Sequence, residues 1–207
     1  MAGVELLVIQ TGTANLASVV AGFRRAGTEP RVSNDPGQAI NAEFLVLPGV
    51  GAMGAAMENL RRNRLDEMIA ERIGRGRPTM AICLGLQILC AGSEESPGSD
   101  GLGIFPGSVR RFGGSMVVPQ MGWNRVDPDT NCRLLEPGYA YFANSYRLAE
   151  APLGWSVAWA EHGDRFIAAL ERGSVLACQF HPELSGDWGR GLIERWLAMG
   201  REGDRSC

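Results

Sequence analysis

MAICLGLQ, residues 80–87, is the stretch on which the reading of this chain turns. Its first half belongs to an apolar run, Thr79–Ile82, with the length and character of a buried strand. Leu84 then opens a run toward Cys90 that reads as the start of a helix. One cysteine stands at the junction. A small residue, any residue, a nucleophile, any residue and a glycine (Ala81-Ile82-Cys83-Leu84-Gly85) is the pattern of a strand-to-helix elbow. Such a turn is so tight that its flanking positions must be small, and it pushes the central side chain out above the sheet. The first turn of the following helix aims backbone N–H groups at that point, which favours a thiolate over a thiol. The pentapeptide alone leaves a second reading open, a cysteine packed in the core as a small hydrophobe.

The same strand-then-helix grammar extends away from this point. Val4–Ile9 reads as a strand. Asn15–Gly27 reads as a helix with Leu16, Val19, Val20 and Phe23 on one face and Gly27 as its stop. Phe44–Leu47 is a second buried strand that closes in Pro48-Gly49-Val50-Gly51. Met57, Leu60, Leu65, Met68, Ile69 and Ile73 recur at helical spacing up to Gly74 and Gly76. Continuously apolar strands alternating with helices predict a parallel sheet covered on both faces.

After about residue 92 the pattern changes. SEESPGSDGLG (residues 93–103) is a polar loop, followed by short β-like pieces at Met116–Val118, Tyr139–Phe142, Trp155–Ala160, Phe166–Glu171 and Val175–Phe180. A last helix is expected over about Gly189–Met199, with Leu192, Ile193, Trp196 and Leu197 facing inward. The expectation is therefore one α/β domain over residues 1–200. It has a mainly parallel central sheet with helices on both faces, a smaller set of antiparallel strands in the second half, and a frayed tail over 201–207.

Composition narrows the function classes. The 207 residues are 45% hydrophobic and 21% charged, ordinary for a globular chain, and a net charge of −3 offers nothing to attract nucleic acid. No apolar run approaches the roughly 20 residues that span a bilayer. The N-terminus has neither a basic start nor a small-residue cleavage site, so no signal peptide is expected. The five cysteines (83, 90, 132, 178 and 207) are odd in number and lack CxxC or Cys/His spacing. That argues against a disulfide framework and against a metal site, and it favours a reducing cytoplasm. No cofactor is expected.

A cysteine nucleophile needs a base, and the chain has two histidines. His162 lies in the polar turn EHGDR and reads as a surface residue. His181 ends the apolar run VLACQF, at the carboxyl end of a strand, where parallel sheets place their ligands. Pro182 fixes the backbone direction there, and Glu183 is positioned to hold the imidazole in one tautomer. A strand-end histidine beside a solvated glutamate is the competing reading. The glycine-rich 48–51 turn leaves the Val50 N–H unobstructed, and with the N–H of Leu84 it would form an oxyanion hole.

Taken together, the elbow around Cys83 and the His181-Pro182-Glu183 strand end resemble the class I (triad) glutamine amidotransferases, in motif order and over nearly the whole chain. Within that family, PGVG (48–51), PQMGWN (119–124) and FHPELSG (180–186) are similar to the glutaminase subunits of imidazole glycerol phosphate synthases. The resemblance implies that Cys83 attacks the carboxamide of L-glutamine while His181, oriented by Glu183, moves the protons. It implies that Gln87 and Glu95 hold the α-amino end of the substrate, and that Gly51 and Leu84 touch it through their backbone. It also implies a heterodimer with a (β/α)8-barrel cyclase subunit that contacts Asn15, Gln120 and Trp123. Ammonia would pass to that subunit, which converts PRFAR to imidazole glycerol phosphate and AICAR for histidine biosynthesis. Without the family, Trp123 reads as half-exposed core and Glu95 as a loop carboxylate.

The chain departs from the family pattern at Ala81, where a glycine is usual, and in the loop Gln10-Thr11-Gly12-Thr13-Ala14-Asn15. It departs again at Asn144, usually histidine, and at Leu184, usually lysine. The triad is untouched. A glutaminase of the same family that feeds a different acceptor enzyme stays open as the alternative.

Overall fold

The apolar runs of the first half become β1 (Leu6–Ile9), β3 (Phe44–Gly49) and β4 (Thr79–Cys83), with a short β2 (Arg31–Ser33) that no apolar run announces. Between and after them lie α1 (Leu16–Arg25), α2 (Pro36–Asn41), α3 (Met53–Arg62), α4 (Leu65–Gly74) and α5 (Leu84–Ile88). The second half adds β5 (Cys90–Ser93), β6 (Phe105–Arg111), β7 (Gln120–Pro128), β8 (Gly138–Asn144) and β9 (Tyr146–Arg147). It ends with β10 (Ser156–His162), β11 (Asp164–Arg172), β12 (Val175–Cys178), a 3-10 turn at Pro182–Leu184 and α6 (Gly186–Asp204). The computed structural model describes residues 5–12, 14–114 and 116–204. Val4 of the expected first strand, Thr13 of the loop after it and 205–207 of the expected tail lie outside the described residues.

Nine strands form one sheet in the order β2-β1-β3-β4-β12-β11-β10-β7-β8, and β5-β6-β9 form a second, three-stranded one. From β2 through β12 every neighbouring pair is parallel, and from β12 to β8 every pair is antiparallel. Strand faces alternate between two cores. Leu7, Ile9, Leu45, Leu47 and Ala81 pack with residues of α2, α3, α4 and α5. Leu6, Val8, Phe44, Val46, Met80 and Ile82 pack with α1 and α6. A strand buried on both faces has no polar side, so these segments are continuously apolar in sequence.

Two registers fix the site. Gly49 lies opposite Cys83 on β4, and Cys178 opposite Ile82. The PGVG turn, the elbow and the end of β12 therefore share the carboxyl edge of the parallel half, where open α/β sheets bind ligands.

Several local expectations are corrected. The single helical recurrence over 57–73 is two helices, broken at Arg64, whose φ is +58°. Both halves bury the same face in one core, so the hydrophobic spacing runs through the break. The helix after Cys83 lasts only five residues, and Cys90 begins a strand instead of closing the helix. Met116–Val118 is not a strand, and the PQMGWN segment enters β7 at Gln120. The last helix begins at Gly186 and continues to Asp204, so residues 201–204 extend it where a frayed tail was expected.

Candidate active site

The elbow is a steric fact. Cys83 has φ +54° and ψ −106°, and with Arg64 it is one of two described non-glycine residues at positive φ. Such backbone is held only where its surroundings over-determine it. Here α5 crosses close over β3. A Cβ on Gly85 would lie 2.1 Å from the Leu47 carbonyl oxygen, and one on Gly49 would lie 2.9 Å from the Leu84 Cβ. The same construction on Gly85 meets the Ala81 methyl at 3.5 Å, an ordinary contact.

The His181 turn is clamped from four sides. The His181 N–H donates to Tyr141 O at 2.9 Å, and Ser185 Oγ donates to His181 O at 2.6 Å. Arg25 of α1 donates to Glu183 O at 2.8 Å. A Cβ on Gly22 of α1 would sit 2.5 Å from the Glu183 Cβ, and one on Gly189 of α6 would sit 2.1 Å from Pro182 O. These two helix glycines let α1 and α6 close on the turn. Both His181 and Glu183 are buried, and His181 Nδ1 lies 2.9 Å from Glu183 Oε1, an arrangement that leaves Nε2 for Cys83. Burial opposes charge on this imidazole. The hydrogen bonds with Cys83 and Glu183, and their negative charge, outweigh it and raise the pKa of His181 to about 10.

Cys83 and His181 open into a cavity of about 290 Å³ whose walls include Val50, Gly51, Leu84, Gln87, Glu95, Asn144 and Tyr146. Four separate sequence regions (50–51, 83–87, 95 and 181) thus bring the expected nucleophile, base, oxyanion and substrate positions to one space, with Glu183 behind His181. Glu95 is held above the ordinary carboxylate range by burial, against a hydrogen bond from the Met53 backbone that lowers it. Its Oε2 is buried without a partner among the described residues, an open place for a cation. Gln87 spends its amide hydrogens inside the protein, on Gln179 Oε1 at 3.1 Å and Tyr146 O at 3.5 Å. Gln179, which sequence reading passed over, also donates to Cys83 Sγ at 3.6 Å. Its signal in the sequence is slight: one amide inside the apolar run VLACQF.

The expected interface residues lie apart from the nucleophile. Asn15 caps α1, accepting from the Ser18 N–H at 3.3 Å. Gln120 is buried with Oε1 unpartnered among the described residues, and Trp123 is 59% exposed. Both line an outer cavity of about 680 Å³ that shares Pro119 with the inner one. His162 also borders this outer space and bonds to Val117 O at 2.9 Å, away from Cys83. Asn144 donates to Tyr146 O at 2.9 Å, and Leu184 is exposed. Among the described residues no cluster of His, Cys, Asp and Glu could hold a metal ion.

The family model for "Glutamine amidotransferase class-I" matches residues 7–197. This chain belongs to the class-I glutamine amidotransferase family. Among curated members, the imidazole glycerol phosphate synthase subunit HisH of Escherichia coli K12 is 41% identical over 202 residues, covering 94% of this chain and 100% of that one. The subunit of the same description from Symbiobacterium thermophilum is 37% identical over 199 residues, covering 94% of each. Among solved structures, a crystal structure described as a glutamine amidotransferase superposes with TM-score 0.75 at 20% identity, covering 94% of this chain and 98% of that one. PurLQS from Thermotoga maritima gives TM-score 0.73 at 18% identity, with coverage of 95% and 98%. At these identities the two structures speak for the fold of this amidotransferase and no further.

Proposed function

We propose that the chain hydrolyses L-glutamine to glutamate and ammonia through a thioester on Cys83. The ammonia then passes to a (β/α)8-barrel cyclase subunit, its partner in a heterodimer, which makes imidazole glycerol phosphate and AICAR from PRFAR. The observation that carries this reading is the single cavity in which Cys83 and His181 meet Val50, Leu84, Gln87 and Glu95. Similarity to subunits named for imidazole glycerol phosphate synthase supports the choice of acceptor over another ammonia user.

In this reading the substrate ammonium sits against Glu95 Oε2 and the Gln87 carbonyl oxygen, with Gly51 and Leu84 contacting the substrate through backbone. The Cys83 proton rests on His181 Nε2, and the thiolate attacks the carboxamide carbon. The carbonyl oxygen, now negative, takes hydrogen bonds from the Val50 and Leu84 N–H groups. His181 gives its proton to the amide nitrogen, ammonia leaves, and the γ-glutamyl thioester remains. A water then loses a proton to His181 and attacks the thioester. Glutamate departs as the proton returns to sulfur. Glu183 keeps Nδ1 protonated and stabilises the imidazolium throughout. Asn15, Gln120 and Trp123 belong to the docking face. We assign this chemistry to the cytoplasm, since Cys83, Cys90, Cys132 and Cys178 are all free thiols. No helix among the described residues is long and apolar enough to cross a membrane.

The test is glutamate release from glutamine, with and without an imidazole glycerol phosphate synthase cyclase subunit and its ligand. A large stimulation that disappears in Cys83→Ala is expected. Fast turnover without a partner would replace the reading with a free-standing hydrolase. Silence in both conditions, with Cys83 still labelled by a glutamine analogue, would point to a different acceptor.

A further inference from the structure

We infer that Gln179 is the hydrogen-bond donor that stabilises the Cys83 thiolate, and that it links the sulfur, through Gln87, to the α-amino group of bound glutamine. The inference rests on the function proposed above and deepens it.

Gln179 is fully buried, one residue past the end of β12. Burying a primary amide is costly unless both of its ends are paired. Here both ends are paired: Nε2 donates to Cys83 Sγ at 3.6 Å, and Oε1 accepts from Gln87 Nε2 at 3.1 Å. The sense of this chain is fixed by a backbone group. Tyr146 O, which can only accept, lies 3.5 Å from the Gln87 amide nitrogen, so Gln87 turns its nitrogen inward. Gln179 must then present its oxygen to Gln87 and its N–H to the sulfur. The two hydrogen bonds that link the series, Gln87 to Gln179 and Gln179 to Cys83, therefore both donate toward sulfur.

Two consequences follow from that direction. An N–H donor binds a thiolate more strongly than a thiol, so Gln179 favours the nucleophilic form. The far end of the chain is the Gln87 carbonyl oxygen, which meets no donor among the described residues, on a residue that lines the same cavity. An ammonium placed there adds a charged donor at the head of the series. Hydrogen bonds in series polarise one another in a water-poor interior, so substrate binding strengthens the donation to sulfur. The substrate's amino end, which takes no part in the bond-breaking, would thereby help to activate the nucleophile.

The experiment uses the full chain and follows iodoacetamide labelling of Cys83 by peptide mass spectrometry across pH, for wild type, Gln179→Met and Gln87→Leu. Methionine keeps the volume and removes the donor. The expected result for Gln179→Met is labelling at pH 7 slowed about tenfold, the size of one hydrogen bond to a charged group. The profile should move up by about one pH unit and the plateau at high pH should stay unchanged. L-2-aminobutyrate, which carries the α-amino group without the carboxamide, should shift the wild-type profile toward lower pH and leave that of Gln179→Met in place. A Gln179→Met profile that superposes on wild type overturns the inference, and so does a uniform slowing at every pH, which marks a packing role only. Should Gln179→Met fail to fold, Gln87→Leu is read the same way with a smaller shift. Wild-type Cys83 labelling no faster than Cys132 would bring down the proposed function, and the inference with it.

Discussion

At the scale of single residues, the proton exchange proposed between Cys83 and His181 carries expectations for both reactivity and pH response. In the folded chain His181 is raised to about 10, while an unfolded histidine titrates near 6.5. Counted for the imidazole alone, the native state holds a proton between those values that the unfolded state has released. The stability it confers is complete below about pH 6.5 and is lost as pH climbs toward 10. Cys83→Ala removes one of the two acidic neighbours that raise His181 and leaves the other, Glu183, at Nδ1. We expect the His181 ring, followed by NMR, to titrate at lower pH in that variant, and the decline in stability between pH 7 and 10 to become shallower. An unmoved midpoint would assign the shift to Glu183 alone. The candidates Cys83, His181 and Glu183 could be singled out in the sequence because an elbow and a His-Pro-Glu strand end are local patterns. Gln179 was not, because its partners Gln87 and Cys83 lie 92 and 96 residues away.

At the scale of elements, the least legible support is Arg72. It sits on α4 between Ile69 and Ile73, fully buried. Its guanidinium donates to the carbonyls of Ala39, Ile40, Ala42, Glu43 and Pro78 and to Thr79 Oγ1, at 2.7–3.3 Å. One side chain thereby closes the C-terminal end of α2, where free carbonyls and the helix dipole favour a cation, and ties it to the start of β4. Arg72→Met would strand several buried carbonyls. We expect a loss of about 3 kcal/mol or more, measured as a lower urea midpoint. Labelling of folded Cys83 should persist, because β4 separates Thr79 from Cys83 by its full length. A midpoint within about 0.5 kcal/mol of wild type would mean that water replaces the guanidinium. Nothing in the sequence marks such a residue, since its acceptors are backbone groups that every position carries. The short α5, the break at Arg64 and the edge strand β2 escaped for a related reason. Each is set by what packs against it, whereas the continuous strands β1, β3 and β4 announce their own burial.

At the scale of the whole molecule, the sheet order places β12, the last strand of the chain, beside β4, which carries the elbow. No local pattern contains that adjacency, and the sequence reading made no statement of strand order; it placed Cys83 and His181 at strand ends without saying which strands are neighbours. The same edge carries apolar groups left in solvent. Val117, Met121, Trp123 and Leu184 are 79%, 67%, 59% and 42% exposed, and Val50 beside the elbow is 39% exposed. Met121 and Trp123, two residues apart on β7, share one face. Trp123 also meets Tyr141 edge-on at 6.4 Å, which holds a large apolar ring ready for a partner. In the proposed heterodimer this ring is the anchor, since buried tryptophans dominate binding at such faces. Trp123→Ala should weaken cyclase binding by about 2 kcal/mol, roughly thirtyfold in Kd, read from the cyclase concentration that half-stimulates glutamate release. Thermal stability and Cys83 labelling without the cyclase should stay near wild type, because the ring is mostly outside the core. If instead half-stimulation is unchanged while maximal stimulation falls, Trp123 transmits the partner's signal to the cavity through Pro119, and the binding energy must come from elsewhere on this face.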